Sequence, residues 1–180
     1  MFRAEMDEHT YLAILEERHA QELFDLINES RDSIRKWLDF PDKTIAVDDT
    51  KAFIRRSLSR FANNNGYWAG IWHHGQIAGS IGFLWIDWDA KRTEIGYWLG
   101  SEFEGNGLMT KACHAFIAHA FNELHLRKIE IGAATNNIKS RAIPERLGFT
   151  QEGIMRNYER LHDQYLDRVV YGLIKDEWHR

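Results

Sequence analysis

The stretch TEIGYWLGSEFEGNGLMTKA, residues 93–112, decides the fold. Its first part alternates, placing Ile95, Tyr97 and Leu99 on one face of a strand from Arg92 to Leu99 and Glu94, Gly96 and Trp98 on the other. A loop, Gly100 to Asn106, follows. The spacing then predicts a helix over Gly107 to Leu124, with Met109, Ala112, Phe116, Ala120 and Leu124 along one side. A strand that runs through a glycine-bearing loop straight into a helix aims unbonded N–H groups and a positive helix end at one spot. That setting suits a phosphate. Gly105 and Gly107 let the backbone come close to such a ligand. The same residues also fit a plain turn, with glycine for conformation and Glu102 or Glu104 favourable near the helix N-terminus. A dinucleotide site fits poorly, because Thr110 stands where G-x-G-x-x-G needs its third glycine. A P-loop is excluded, because Leu108 and Met109 follow Gly107.

Outward from this stretch, Thr10 to Leu15 reads as a strand and Glu17 to Asn28 as an amphipathic helix with Ala20, Leu23, Phe24 and Ile27 inward. Ser30 or Ser33 starts a short helix carrying Ile34, Trp37 and Leu38. Asp48 or Asp49 caps a longer one that ends at Asn63-Asn64-Asn65-Gly66. Tyr67 to Trp72 and Gln76 to Ile86 form a hairpin around His73-His74-Gly75, and Asp87-Trp88-Asp89-Ala90 is a turn. Lys128 to Ala134 is a strand, Asn137 to Leu147 a helix, and Phe149 to Arg160 with Gln164 to Ile174 a closing strand pair. The order βααα-βββ-α-β-α-ββ predicts a mixed sheet with helices packed on it. No linker-like shift in composition interrupts it, so residues 1–180 are expected to form one domain.

Composition narrows the class. The 44% hydrophobic and 28% charged residues are an ordinary globular balance, which argues against disorder. The net charge is 23 − 27 = −4, which disfavours a general nucleic-acid coat and makes a direct nucleic-acid partner unexpected. The N-terminal segment has only a short apolar run, Tyr11 to Leu15, flanked by acids, and is expected not to be a secretory signal. The long uncharged stretch Phe61 to Ile86 is broken by asparagines, histidines and glycines, so it reads as buried strands rather than a membrane helix. A single cysteine, Cys113, cannot form an internal disulfide and fits a reducing cytoplasm; in its helix it reads as core rather than nucleophile. Among nine histidines, His114 and His119 are five apart and off a shared helical face, so no metal site is expected.

Three segments in order, TEIGYWLG (93–100), EGNGLMTKA (104–112) and NNIKSRAIPERLGF (136–149), resemble the GNAT N-acetyltransferases. More narrowly they resemble the branch that acetylates the N-termini of ribosomal proteins at serine or alanine. The likeness spans about residues 8 to 176. It implies an α+β GNAT fold: a mixed, mostly antiparallel seven-stranded sheet, helices on both faces and a splayed central strand pair. It also implies acetyl-CoA as co-substrate, wedged between the Arg92–Leu99 and Lys128–Ala134 strands, and a primary amine as acceptor.

Residue by residue, the family's pyrophosphate-binding [QR]-x-x-G-x-[GA] falls on Glu104, Gly105, Asn106, Gly107, Leu108 and Met109, with Thr110 next along the helix. Glu104 and Met109 depart from the pattern, but the implied contacts are mainly backbone. Lys111, Lys139 and Arg141 are nearby cations that could offset the Glu104 carboxylate. The backbone around Trp98, Leu99 and Gly100 is implied to bond the pantetheine, with an N–H near Leu99 facing the thioester carbonyl as an oxyanion donor. Asn137 and Ser140 match N-x-x-S; the asparagine is implied to bond pantetheine and the hydroxyl to serve the leaving thiolate, although either residue also suits a helix cap. Where many relatives carry a general-acid tyrosine this chain has Pro144, which cannot donate a proton. Glu94 occupies a family position for a catalytic base; Glu130, His114 and His119 are alternatives, and a second family base position falls on Gly132. Trp85, Trp88 and Trp98 are expected to cluster at the acceptor side, with Tyr158, Tyr165 and Asp167 as candidate contacts.

An α-amine of pKa near 8 is roughly one-tenth neutral at pH 7, against about 0.04% for lysine, and so makes a small demand on a base. The resemblance implies acetyl transfer to a protein N-terminus, which this small demand on a base supports, and the expected setting is the cytoplasm, with a homo-oligomer compatible. A small amine such as a polyamine, aminoglycoside or amino acid is the alternative acceptor. A non-catalytic acyl-CoA binder is the alternative of a different class.

Overall fold

Alternating apolar positions become strands of one eight-stranded sheet, and apolar spacings of three and four become the helices that cover it. The computed structural model describes residues 3–179; Met1, Phe2 and Arg180, the outermost residues of the expected 1–180 domain, lie outside the described residues. In chain order the elements are β1 (Arg3–Asp7), β2 (Thr10–Ile14), α1 (Ala20–Glu29), α2 (Arg31–Ile34), α3 (Phe40–Lys43), α4 (Val47–Ala62), β3 (Trp68–His73), β4 (Gln76–Asp87), β5 (Arg92–Leu99), α5 (Leu108–Asn122), β6 (Lys128–Ala134), α6 (Ile138–Arg146), β7 (Thr150–Leu161) and β8 (Gln164–Ile174). The sheet order is β1-β2-β3-β4-β5-β6-β8-β7. Every neighbouring pair is antiparallel except β5–β6.

The expected seven strands are all present, and β1 adds an eighth at the edge. Its sequence RAEMD gives a weak signal because it is short and charged. Its Ala4 and Met6 nevertheless pack on the core while Arg3 and Glu5 face solvent. The helical segment before β3 holds four helices rather than three, because Pro41 starts the extra turn α3. The cap of α4 also differs. Asp49 sits at its third position and accepts from the Ala46 and Ile45 N–H groups (2.9 and 3.0 Å), satisfying donors from inside the helix rather than from its first residue.

Helices pack on both faces. Phe116 of α5 meets Phe83 of β4 at 4.7 Å between ring centroids, with Tyr67 beside both, on one face. Phe53 of α4 meets Trp68 at 5.9 Å on the other. Residues 77–83 of β4 are buried on both sides as a result, which makes β4 the rigid centre of the sheet. β5 is laid against it, from Asp87↔Arg92 to Gly79↔Leu99. Position 79 needs glycine, because a Cβ there would overlap the Trp98 carbonyl.

Candidate active site

β5 and β6 pair only at Arg92↔Lys128, Thr93↔Ile129 and Glu94↔Glu130, and then diverge. Beyond Glu94 each strand is bonded on its outer side alone. Gly100 N–H donates to the Ala78 carbonyl (2.8 Å), so Gly100, Trp98 and Gly96 direct their backbone groups to β4 while Tyr97 and Leu99 direct theirs into the gap. On the other wall, Thr135 N–H donates to the Asp167 carbonyl (3.0 Å), which turns Gly132 and Ala134 of β6 toward the same gap. Two half-finished strand edges thus face each other across a cleft of ≈ 1930 Å³. A linear ligand with amide groups can complete both ladders. Gly100, expected among the contacts, spends its N–H on Ala78 and does not line the cleft. Trp98 contributes its side chain, with the backbone turned away.

At the open end of β5 the chain passes a 3-10 turn, Ser101–Phe103, and enters α5 through Gly107 at φ 71°. Gly105 is also left-handed, at φ 82°. No side chain caps α5 and no acid occupies its first turn, so the N–H groups of Leu108, Met109 and Thr110 remain available at the cleft. Leu108 and Met109 bury their side chains, so only their backbone is presented. Asn106 points elsewhere and does not line the cleft. The Glu104 carboxylate is neutralised by Lys139 (2.7 Å) and also accepts from Ser33 (3.4 Å), and this pairing raises the Lys139 pKa. Lys111 is paired with Asp7, whose carboxyl it holds far below the ordinary range. Arg141 is not a surface charge beside the phosphate spot: it donates to Thr135 O (2.8 Å) and Tyr171 OH (2.9 Å). Arg146, unremarked in the sequence, lines the cleft and donates to Thr110 Oγ1 (2.8 Å). An uncapped helix start with cations at its rim fits a pyrophosphate.

Asn137 is the N-cap of α6, its side-chain oxygen accepting from Ser140 N–H (3.2 Å). Pro144 lies inside the helix without ending it. Lacking an N–H, it cannot donate to the carbonyl four residues back, which is Ser140 O. Tyr97 OH supplies the missing bond at 3.0 Å, and Ser140 Oγ in turn lies 3.4 Å from the phenol oxygen. Burial pushes the Tyr97 pKa far up and keeps it a neutral donor. The proline and the tyrosine thus form one compensated pair that ties β5 to α6 across the cleft.

On the opposite face, Glu94 sits where the strands part. Its carboxylate takes one bond from Arg168 Nη2 and one from Trp85 Nε1 (3.2 Å). Arg168 reaches it from β8 by lying across Gly132, where any Cβ would overlap the guanidinium. A base at 132 is therefore excluded by space as well as by sequence. Glu130 is bound to Arg92 and Lys128 (3.3 and 3.4 Å). His114 packs near Trp178, and buried His119 lies 3.0 Å from Glu123; neither lines the cleft. The three tryptophans do not cluster: Trp88 bonds to Asn64 O (2.7 Å) at the far turn, and Trp37, Phe40 and Trp98 form the apolar wall instead. Of the expected hairpin contacts, Asp167 lines the cleft, Tyr158 lies under Arg168, and exposed Tyr165 is outside it.

The missed residue is Glu159. It lines the cleft half-buried, and burial, then the nearby Asp39 charge, raise its pKa above the ordinary 4.5. The β7–β8 register shifts between Met155 and Glu159, and His162 at the tip meets the Arg35 carbonyl (2.7 Å). Next to that irregularity the carboxylate lines the cleft. Strand periodicity gives no sign of it. Among the described residues no group of three or more His, Cys, Asp and Glu could hold a metal ion.

The acetyltransferase (GNAT) domain family matches residues 10–150, and the chain belongs to that family. It is 38% identical over 179 residues to "Putative ribosomal N-acetyltransferase YdaF" of Bacillus subtilis (strain 168), covering 99% of this chain and 98% of that one. It superposes with a TM-score of 0.93, at 25% identity and 96% and 97% coverage, on RimL, a ribosomal L7/L12 alpha-N-protein acetyltransferase solved with coenzyme A. The microcin C7 self immunity acetyltransferase MccE, solved with acetyl-CoA and AMP, gives 0.89 at 28% identity, with 94% of each chain covered. The protein is an acetyl-CoA-dependent N-acetyltransferase, close to the ribosomal-protein acetyltransferases.

Two outcomes test this site. Tyr97→Phe should cost about 1–3 kcal/mol of stability by leaving Ser140 O unpaired, and much less in a Pro144→Ala background, whose new N–H takes over; equal costs in a denaturation cycle would contradict the compensation. Gly107→Val forces a β-branched residue to positive φ and should weaken coenzyme A binding by about tenfold or more in calorimetry. Unchanged affinity would contradict the cradle.

Proposed function

We propose that the protein transfers acetyl from acetyl-CoA to the N-terminal α-amine of a protein, with a ribosomal protein as the acceptor its relatives suggest. The observation that carries this reading is the half-open β5–β6 slot in a cleft that Glu159 also lines. The pantetheine would lie along Tyr97 and Leu99 on one side and Gly132 and Ala134 on the other, with Asn137 at its flank. The pyrophosphate would rest on the N–H groups that follow Gly107. A backbone N–H of β5, from Leu99 or its neighbour Tyr97, would donate to the thioester oxygen as negative charge builds there, a contribution of about 3 kcal/mol for one such donor.

The amine nitrogen attacks the thioester carbon directly. The C–N bond forms, the C–S bond breaks, and no covalent enzyme intermediate is needed. Glu159, directly or through a water, takes the proton that the amine loses, and the Ser140 hydroxyl serves the departing thiolate. Glu94, which the family resemblance implied as the base, accepts from Arg168 and Trp85 instead, so we assign it to positioning. A raised carboxylate is a modest base. An α-amine, far more often neutral at pH 7 than lysine, requires no more.

The protein is proposed to act in the cytoplasm as one domain; among the described residues no helix is long and apolar enough to cross a membrane. Thiol release from acetyl-CoA, with mass spectrometry to place the acetyl group, tests the acceptor class. Acetyl on peptide α-amines and not on N-blocked peptides is the expected result. Acetyl on polyamines or aminoglycosides alone would replace the acceptor, and coenzyme A binding without turnover would favour a regulatory binder. Glu159→Gln should lower kcat by about 10²-fold or more with acetyl-CoA affinity retained. Because its pKa is raised, wild-type kcat/KM should fall as pH drops through a value above 4.5, and that limb should flatten in the variant. A rate unchanged by the substitution would return the proton to another group.

A further inference from the structure

Arg168 places a guanidinium at the point where β5 and β6 part, and the acetyl-transfer step described above does not require it. Its Nη2 is bonded to Glu94, its Cζ lies 4.6 Å from the Tyr158 ring centroid, and the guanidinium fills the space above Gly132. The side chain is 19% exposed and that of Glu94 12%. An arginine has five N–H donors. Among the described residues no other hydrogen bond of this guanidinium is present, and the residue lines the cleft beside Gly132, Ala133 and Asp167. Partly desolvated donors without partners favour a ligand that brings an acceptor atom to them.

The chemistry of that ligand follows from the pairing. Glu94 already balances the charge of Arg168, so an anion would have to compete with a buried carboxylate, whereas a neutral carbonyl oxygen would not. A peptide N-terminus carries such an oxygen two bonds from the carbon that bears the amine. A polyamine carries none, and its second cation would meet the guanidinium. Resting on the α-amine reading above, we propose that Arg168 is a specificity residue. It donates to the carbonyl oxygen of the acceptor's first residue and so selects peptide N-termini over simple amines. Glu94 and the Tyr158 ring hold the fork in place, and glycine at 132 is what lets it reach the cleft.

The test compares an alanyl peptide amide with a matched amine in which that carbonyl is a methylene, each rate normalised to its neutral-amine fraction. The wild-type protein should prefer the carbonyl-bearing acceptor by tenfold or more in kcat/KM. Arg168→Lys, which keeps the charge and loses the fork, should raise KM for the peptide about tenfold and leave kcat/KM for the carbonyl-free amine unaltered. Coenzyme A calorimetry and a melting curve on the variant establish that it is folded. Equal losses on both acceptors, or a wild-type protein indifferent to the carbonyl, would overturn the proposal while leaving acetyl transfer to α-amines intact. Turnover of small amines but of no peptide would instead overturn the α-amine reading, and this inference with it.

Discussion

The structure depends on a ladder that stops. After three residue pairs β5 and β6 cease to bond, although each continues for several residues more. Unpaired backbone groups in a partly buried cleft are costly, about 1–3 kcal/mol each when left unsatisfied. The fold sustains them because both strands are fixed from outside: β5 by the buried β4, β6 by antiparallel β8. The gap is therefore a built absence of pairing, with the hydrogen-bonding pattern of a missing strand. An extended chain of amides such as pantetheine fits that pattern better than a globular ligand would.

Several local choices keep the gap open and clean. Gly79 lets β5 press against β4, and Pro144 leaves a carbonyl on α6 that Tyr97 satisfies by spanning the gap on one face. On the other face Arg168 crosses Gly132 to Glu94 and closes the floor at the point of divergence. The charges lining this region are mostly spent on one another, as in Glu104 with Lys139 and Glu94 with Arg168, whereas Glu159 lines the cleft as a carboxylate with a raised pKa.

Much of this was legible in the chain. Alternation over residues 92–99 followed by Gly105 and Gly107 marks the strand, loop and helix, because backbone geometry there needs glycine whatever the context. N-x-x-S marks the start of α6 through its cap. What was not legible depends on contacts between distant segments. Glu94 looks free on its strand, and only the approach of Arg168 from 74 residues later shows it bonded. Glu159 looks like one polar residue on an exposed strand, and only the folded chain shows it lining the cleft, next to an irregularity in the β7–β8 pairing. β1 escaped notice because two apolar side chains in five residues leave almost no period to read.

The central claim is that Tyr97 and Leu99 hold their N–H groups open to the gap while Trp98 and Gly100 do not. Residue-resolved amide hydrogen exchange on the free protein, and again with saturating coenzyme A, measures this directly. Tyr97 and Leu99 should exchange much faster than Trp98 and Gly100 in the free protein and become protected when the ligand binds. Four amides equally protected without ligand, or no change at Tyr97 and Leu99 on binding, would contradict the account.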